Sequence, residues 1–371
     1  MPESKVTIMK MSRKELSDPK LLAEFDDPYC LTRLSEHRHR FLADNPLGRT
    51  DDDPAALFGL RGKLVMGRIL LMRSEIVVDG RSFPVLLPSS WGTPPEFRQS
   101  GVALKLLIKI QSMCPTLVVC GLSQMSLPIC RMLRWREFSM NRYIFLRRSR
   151  SVVERYFGRI PGKWPTSKIL DAGLLGLRLN MGIRRAAGVR GLVLERREVA
   201  TEELDAQITL CRRGRAHMHR SSAWLNWLLQ HPPSDDPRNK QELYRIYGPD
   251  DSLAAYFLVK VRFYPVATHR KFRNLTIGSL QDWGIFDSQA VSFRGIVLKA
   301  VGVLVRHGVD AVEVCVPMAG DSRYLRGLGF VRVGELNFMF KASAESPLAA
   351  KEFHGREVWD VRPADGDNYF T

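Results

Sequence analysis

The chain has 371 residues, enough for two or three domains at roughly 100–200 residues each. Hydrophobic residues make up 45% and charged residues 26%. That balance excludes wholesale disorder, and no run of roughly eighteen apolar residues reads as a membrane span. Lys and Arg outnumber Asp and Glu by 56 to 39, a formal net charge of +17 that predicts an anionic partner or cofactor.

Residues 5–11 alternate like a short strand, and residues 13–25 read as a helix opened by a Ser12/Glu15 capping box. Residues 43–56 carry two prolines and three consecutive Asp and read as a solvated loop. Three β-rich stretches follow at 63–72, 74–79 and 82–90, with Asp79-Gly80 between the last two as a hairpin signal. A helix over 99–113, a buried strand over 116–121, a short helix near 124–133 and a strand over 138–147 complete the first half. Residues 159–188 read as a connector. The second half has strands at 191–199, 242–247, 252–264, 272–286, 310–316 and 330–342, with helices at 201–214, 221–230, 288–307 and 320–327.

The order of elements suggests a repeat. Under a shift of 195 residues, Cys120 falls on Cys315, Arg131 on Arg326, Leu133 on Leu328 and Phe145 on Phe340, with no gap across helix, strand, helix and strand. Two copies of one α/β unit is the simplest account. The six cysteines (Cys30, Cys114, Cys120, Cys130, Cys211, Cys315) include no C-x-x-C pair and read as small core residues of a protein in a reducing cytoplasm. The N-terminus has no apolar core, which predicts no signal peptide. No metal site is predicted: the histidines of HRHR and RAHMHR are spaced by two, which puts them on different faces of a helix.

The most informative string is Pro95-Glu96-Phe97-Arg98-Gln99-Ser100-Gly101-Val102-Ala103, between a strand and a helix. A helix N-terminus offers unpaired amides and partial positive charge, which suit a phosphate. Gly101 lets the backbone approach a ligand closely, Ala103 is small, and Arg98 adds a full charge at the rim. This string resembles the pyrophosphate loop of the GNAT superfamily of acyl-CoA-dependent N-acyltransferases, Arg/Gln-x-x-Gly-x-Gly/Ala. Leu328-Gly329-Phe330 matches the Leu-Gly-Phe that often precedes that family's last strand, and Leu133-Arg134-Trp135 is a looser copy.

The resemblance implies an α/β (α+β) fold of two tandem GNAT-like domains, each a mixed, mostly antiparallel twisted sheet flanked by helices. It places a CoA-binding domain at 1–150, a basic linker at 151–187, a second domain without the loop motif at 188–345 and a polar tail at 346–371. It implies acetyl-CoA or another acyl-CoA as donor, held by Ser90, Trp91, Thr93 and Arg98, Gln99, Ser100, Gly101, Val102 and Ala103. The acceptor would be a primary amine of a small molecule or of a cell-surface polymer precursor. Residues 223–233 (AWLNWLLQHPP) are similar to a segment of GNAT-like proteins of cell-surface polymer synthesis. Catalytic candidates are the carboxylates Glu75 and Asp282 as base and Tyr324 as acid. The family's usual Tyr position is Cys130 in the first half and Leu325 in the second. A non-catalytic GNAT-like binding protein and a Fem-type aminoacyl-tRNA-dependent transferase remain open alternatives. Residues 131–163 carry nine Arg and one Lys against two Glu, a band that suits RNA or an anionic lipid surface.

Overall fold

The structure is a computed structural model that describes residues 5–48, 50–123, 125–149, 171, 174–176, 179–183, 191–232, 234, 236–265, 274–316 and 319–365. The connector expected at 159–188 therefore lies mostly outside the described residues. So do residues 150–163 of the Arg-rich run.

Strand β1 (Thr7–Ser12) ends at Ser12, whose hydroxyl accepts from Glu15 N (3.2 Å) while Glu15 Oε2 accepts from Ser12 N (2.6 Å). The capping box thus forms as read, but the helix after it is short. It is α1 (Arg13–Leu16), followed by α2 (Pro19–Leu22), because Pro19 lacks the N–H that would continue the first helix and Asp18 caps the second. Helix α3 (Glu36–Ala43) follows.

Strand β2 (Pro54–Arg61) begins inside the stretch expected to be loop. Its Ala55–Leu60 core is buried on both faces, so it lacks the polar alternation that marks a half-exposed strand. The two stretches read at 63–72 and 74–79 are one strand, β3 (Leu64–Val78), which turns at Asp79-Gly80 into β4 (Arg81–Gly92). Both turn residues have positive φ, 48° and 78°, as a two-residue hairpin turn of this type requires. A 3₁₀ turn (Pro95–Ser100) leads into α4 (Val102–Gln111), β5 (Thr116–Cys120), α5 (Leu127–Met132) and β6 (Arg136–Leu146).

The second half runs β7 (Val193–Arg197), α6 (Glu203–Cys211), β8 (Ala216–Met218), α7 (Ser222–Gln230), β9 (Lys240–Tyr247), β10 (Leu253–Tyr264) and β11 (Leu275–Ile285). It closes with α8 (Phe293–Arg306), β12 (Ala311–Val316), α9 (Ala319–Gly327) and β13 (Val331–Ala342). The repeat holds in register: shifted by 195 residues, β5 falls on 311–315 and β6 on 331–341.

The strands form one continuous sheet in the order β1-β2-β3-β4-β5-β13-β6-β12-β11-β10-β9-β7. The last strand of each half sits in the other half's territory. β13 pairs with β5 (Phe338 opposite Cys120), and β6 pairs with β12 (Arg142 opposite Cys315). The two exchanged strands pair with each other, Phe338 against Phe138, at the centre of the sheet. The exchange joins the halves by three antiparallel ladders, and β8 adds a fourth on β3, Met218 opposite Ile76.

One face of the sheet carries α4, packed on Leu57, Leu86, Leu117 and Val119, and α8, packed on Val312, Val314 and Val316. The opposite face holds Val118, Cys120, Phe138, Cys315, Phe338 and Phe340. That face is covered by the segment expected to be a polar tail. Its Leu348, Trp359 and Val361 are buried, and Trp359–Asp360 adds a short strand, β14, beside β8. Trp359 packs on Phe340, Phe138 and Phe338 at ring-centroid distances of 4.8, 5.6 and 6.0 Å. Residues 346–365 are therefore a packed closing strap and not a tail. No described helix is long and apolar enough to cross a membrane.

Candidate functional site

β4 and β5 run parallel but pair at a single point, Leu86 with Leu117. Beyond it, Leu87–Gly92 and Val118–Cys120 part, leaving two strand edges open towards each other. An extended arm bearing amides can pair with such edges.

At the far end of β4 the register against β3 shifts between Ser89 opposite Leu70 and Gly92 opposite Arg68, a bulge containing Ser90 and Trp91. Ser90 has φ 44°, a left-handed conformation that a serine seldom adopts. Its hydroxyl accepts from Arg38 of α3. A bulge re-aims the backbone relative to the regular ladder. Two polar atoms beside it, Trp91 Nε1 and Thr93 Oγ1, are buried without a hydrogen-bond partner.

Gly101 closes the 3₁₀ turn and opens α4 with φ 72°. A Cβ there would meet nothing within 4 Å, so the space before the helix is open. Ser100 Oγ donates to Phe97 O (2.6 Å) and accepts from Val102 N (3.3 Å), which holds the turn in shape. Val102 is buried under the helix; Arg98 and Gln99 line the turn itself. The nine loop and strand-end residues are thus gathered at one end of β4, between the bulge and the start of α4. Open space, orphaned polar atoms and a helix start without a side-chain cap at Gly101 fit a diphosphate-bearing ligand.

The proposed base and acid residues are not gathered there. Glu75 lies opposite Pro84 on the β3/β4 ladder, six residues from Ser90, about 20 Å along the strand. Its carboxylate faces His219 Nδ1 at 3.7 Å. That distance removes Glu75 from proton transfer at the bulge.

Asp282 is fully buried in the second half. Its Oδ1 accepts from Arg212 (3.2 Å), and its Oδ2 accepts from Arg220 Nε (3.2 Å) and Tyr256 OH (2.7 Å). Burial alone would raise its pKa. Arg220, Arg212, Arg362 and the Tyr256 hydroxyl outweigh burial and hold it at about 2. A carboxylate so placed is a counter-ion and not an accessible base. It belongs to a buried cluster with Asp360, Asp365, Arg212, Arg220 and Arg362, all 9% exposed or less, in which three carboxylates balance three guanidiniums. The cluster ties the closing strap to β11.

Tyr324 sits on α9, packed against the second half's core with Arg294 at 4.8 Å over its ring. It too belongs to the other half. Cys130 is buried on α5, and burial pushes its thiol up to about 12, so it is not a nucleophile at neutral pH.

Five described arginines of the 131–163 run, Arg136 with a bond to Ala349 O (3.3 Å) among them, are engaged within the chain. Arg131 pairs with Glu137 (2.8 Å), Arg142 with Glu313 (2.6 Å) and Arg148 with Asp310 (3.6 Å), while Arg147 donates to Val309 O (2.9 Å).

Signals for the bulge and for the Asp282 cluster were weak in the sequence. Nothing about Ser90 marks a left-handed residue. Asp282 stands in a strand where alternation leaves its side undecided.

No protein-family model matches the chain, and no curated protein matches it. Solved structures do. Saccharomyces cerevisiae N-myristoyltransferase with bound myristoyl-CoA is similar over 93% of this chain and 80% of its own, at 12% identity and a TM-score of 0.57. A GCN5-related N-acetyltransferase from Anabaena variabilis is similar over 91% and 72%, at 14% identity and a TM-score of 0.51. One from Kribbella flavida is similar over 92% and 71%, at 12% identity and a TM-score of 0.51. The chain has the GNAT fold.

Proposed function

We propose that the protein is an acyl-CoA-dependent N-acyltransferase whose first half holds the donor. The observation that carries this reading is the open turn at Gly101, where φ is 72° and the space a side chain would take is empty. The turn follows the gap between β4 and β5, so one extended ligand can reach from diphosphate to thioester. Arg98, Gln99 and the amides of Ser100–Ala103 would hold the diphosphate. The Trp91 and Thr93 side chains offer their unpartnered buried atoms to the same ligand.

Acyl transfer needs a neutral amine, a polarised thioester carbonyl and a way to protonate the departing thiolate. The amine nitrogen bonds to the carbonyl carbon, the C–S bond breaks, and the amine proton leaves to water or to a base. The re-aimed backbone at Ser90–Trp91 suits an oxyanion, because amides fixed before reaction need not reorient as charge develops. No base is assigned, since Glu75 and Asp282 are placed elsewhere.

The acyl group is short in this reading. Behind Ser89 and Ser90 lies a small cavity of about 10 Å³, and a second of the same size, walled by Ser74 and Leu87, shares its Phe41 and Met72. Each holds roughly one water, far less than a long acyl chain needs.

The test is release of free CoA from acetyl-CoA on adding primary amines. The reading expects amine-dependent release that Gly101→Glu abolishes. Acetyl-CoA binding without release for any amine would favour the non-catalytic alternative, and failure to bind it would remove the reading.

A further inference from the structure

A cavity of about 320 Å³ lies at the opposite end of β3 and β4 from Ser90, between the β3–β4 turn, the C-terminal end of α6 and β8. Register explains the place. β8 is held on both sides: His217 lies opposite Val77 of β3 and opposite Asp360 of β14. The chain reaches β8 from α6 through a turn at Gly214 (φ 77°), whose N–H donates to Asp79 Oδ1 (3.2 Å). That bond ties the end of α6 to the hairpin turn at one point, and the cavity lies beside it.

The charges around this space cancel. Arg212 in its wall is matched by Asp282 and Asp360 within the balanced cluster. The other two charged residues of the wall, Asp79 and Arg213, are of opposite sign. Val77 and Leu210 supply apolar wall, and Leu210 is 62% exposed, an apolar side chain left in water that an occupant would cover. His217 supplies the polar contact. Its Nδ1 lies 3.0 Å from Met218 O, and a carbonyl only accepts, so Nδ1 carries the ring proton. Burial, then Arg212, brings the ring down to about 4 against the pull of the Met218 carbonyl and Asp360, so it is neutral at pH 7. Nε2 is therefore an acceptor, and it has no partner among the described residues. The ring is 6% exposed, so the cavity it lines is what Nε2 can reach.

We infer that this cavity binds a small, neutral, mostly apolar molecule that presents one N–H or O–H group to His217 Nε2. The volume sets the size: about 150 Å³ suffices for a single benzene ring, so 320 Å³ admits two fused rings. A molecule with acceptors alone would leave Nε2 without a donor. A charged one would lose its water and meet no uncompensated counter-charge. The site stands apart from the Gly101 turn and does not rest on the acyltransferase reading.

Saturation-transfer NMR titrations of the full chain at pH 7 test this with two probes. Indole carries one N–H on a bicyclic body, and 1-methylindole is the same body without the donor. Indole should bind in the millimolar range or tighter, and 1-methylindole about threefold or more weakly, the share of one neutral hydrogen bond. His217→Phe should bring the two probes to equal affinity. Thr209→Trp fills the cavity from an exposed position on α6, so it tests the site without a buried substitution. It should abolish binding of both probes with the far-UV circular dichroism unchanged. No indole binding at millimolar concentration, indole binding indifferent to Thr209→Trp, or equal affinity of wild type for the two probes overturns the inference.

Discussion

Replacing Asp282 by Asn removes one negative charge from the buried cluster of three carboxylates and three guanidiniums. Asp282 is 0% exposed, and its partners Arg212 and Arg220 are 1% and 5% exposed, so solvent cannot stand in for it. Breaking a buried pair from one side costs roughly 3–5 kcal/mol, because the remaining charge stays buried and uncompensated. Asn keeps the shape and one acceptor, which puts the expected loss near the lower end. Urea unfolding at pH 7 should show a midpoint shift equivalent to about 3 kcal/mol. Acid should narrow the gap between variant and wild type. A carboxylate that titrates near 3.8 unfolded and about 2 folded contributes stability that is fully present above pH ~4 and lost as pH falls through ~2. A variant as stable as wild type but slow in turnover would refute the counter-ion assignment and return Asp282 to the mechanism.

Two further outcomes are expected. His217 is buried beside Arg212, and burial brings its pKa from 6.5 to about 4. Because the unfolded chain binds the proton first, this histidine's contribution is present above pH 6.5 and lost between 6.5 and about 4. That loss is on the order of 3 kcal/mol, and His217→Gln should flatten the stability–pH curve in the window. Trp359→Ala should cost about 3–5 kcal/mol in chemical unfolding, since its ring is 5% exposed and packed on three phenylalanines from both halves. A loss below 1 kcal/mol would mean that the closing strap is not integral to the fold.

Much of the fold was legible because local chemistry and burial agreed. Ser12 and Glu15 sit at capping-box spacing, Asp79-Gly80 supplies two positive-φ residues, and Gly101 follows a 3₁₀ turn that begins with proline. The repeat was legible from Cys120/Cys315 and the helix and strand around them. The strand exchange was not. β6 and β13 occupy equivalent places in the repeat, and sequence alone does not say which neighbour each will pair with.

Strand β2 was hidden by the Asp triplet before it and by burial on both faces, which erases alternation. The closing strap was misread for the opposite reason. Asp360, Arg362 and Asp365 look like solvated charges in sequence, yet they neutralise Arg212, Arg220 and Asp282 inside the protein. The candidate donor site was legible as a loop, from Arg98 to Ala103. Its base and acid were not, because Glu75, Asp282 and Tyr324 were chosen by position along strands and helices, and the fold sends them to three different places.

Titrating acetyl-CoA into the wild-type chain and into Gly101→Glu decides whether the open turn holds the donor. Glutamate at a φ of 72° is strained by about 1–2 kcal/mol but meets no neighbour, so the variant should stay folded. Wild type should bind in the micromolar range and the variant not at all, because its carboxylate would occupy the diphosphate position and repel the ligand. Equal affinity in the two proteins, or no binding to either at millimolar concentration, would contradict it.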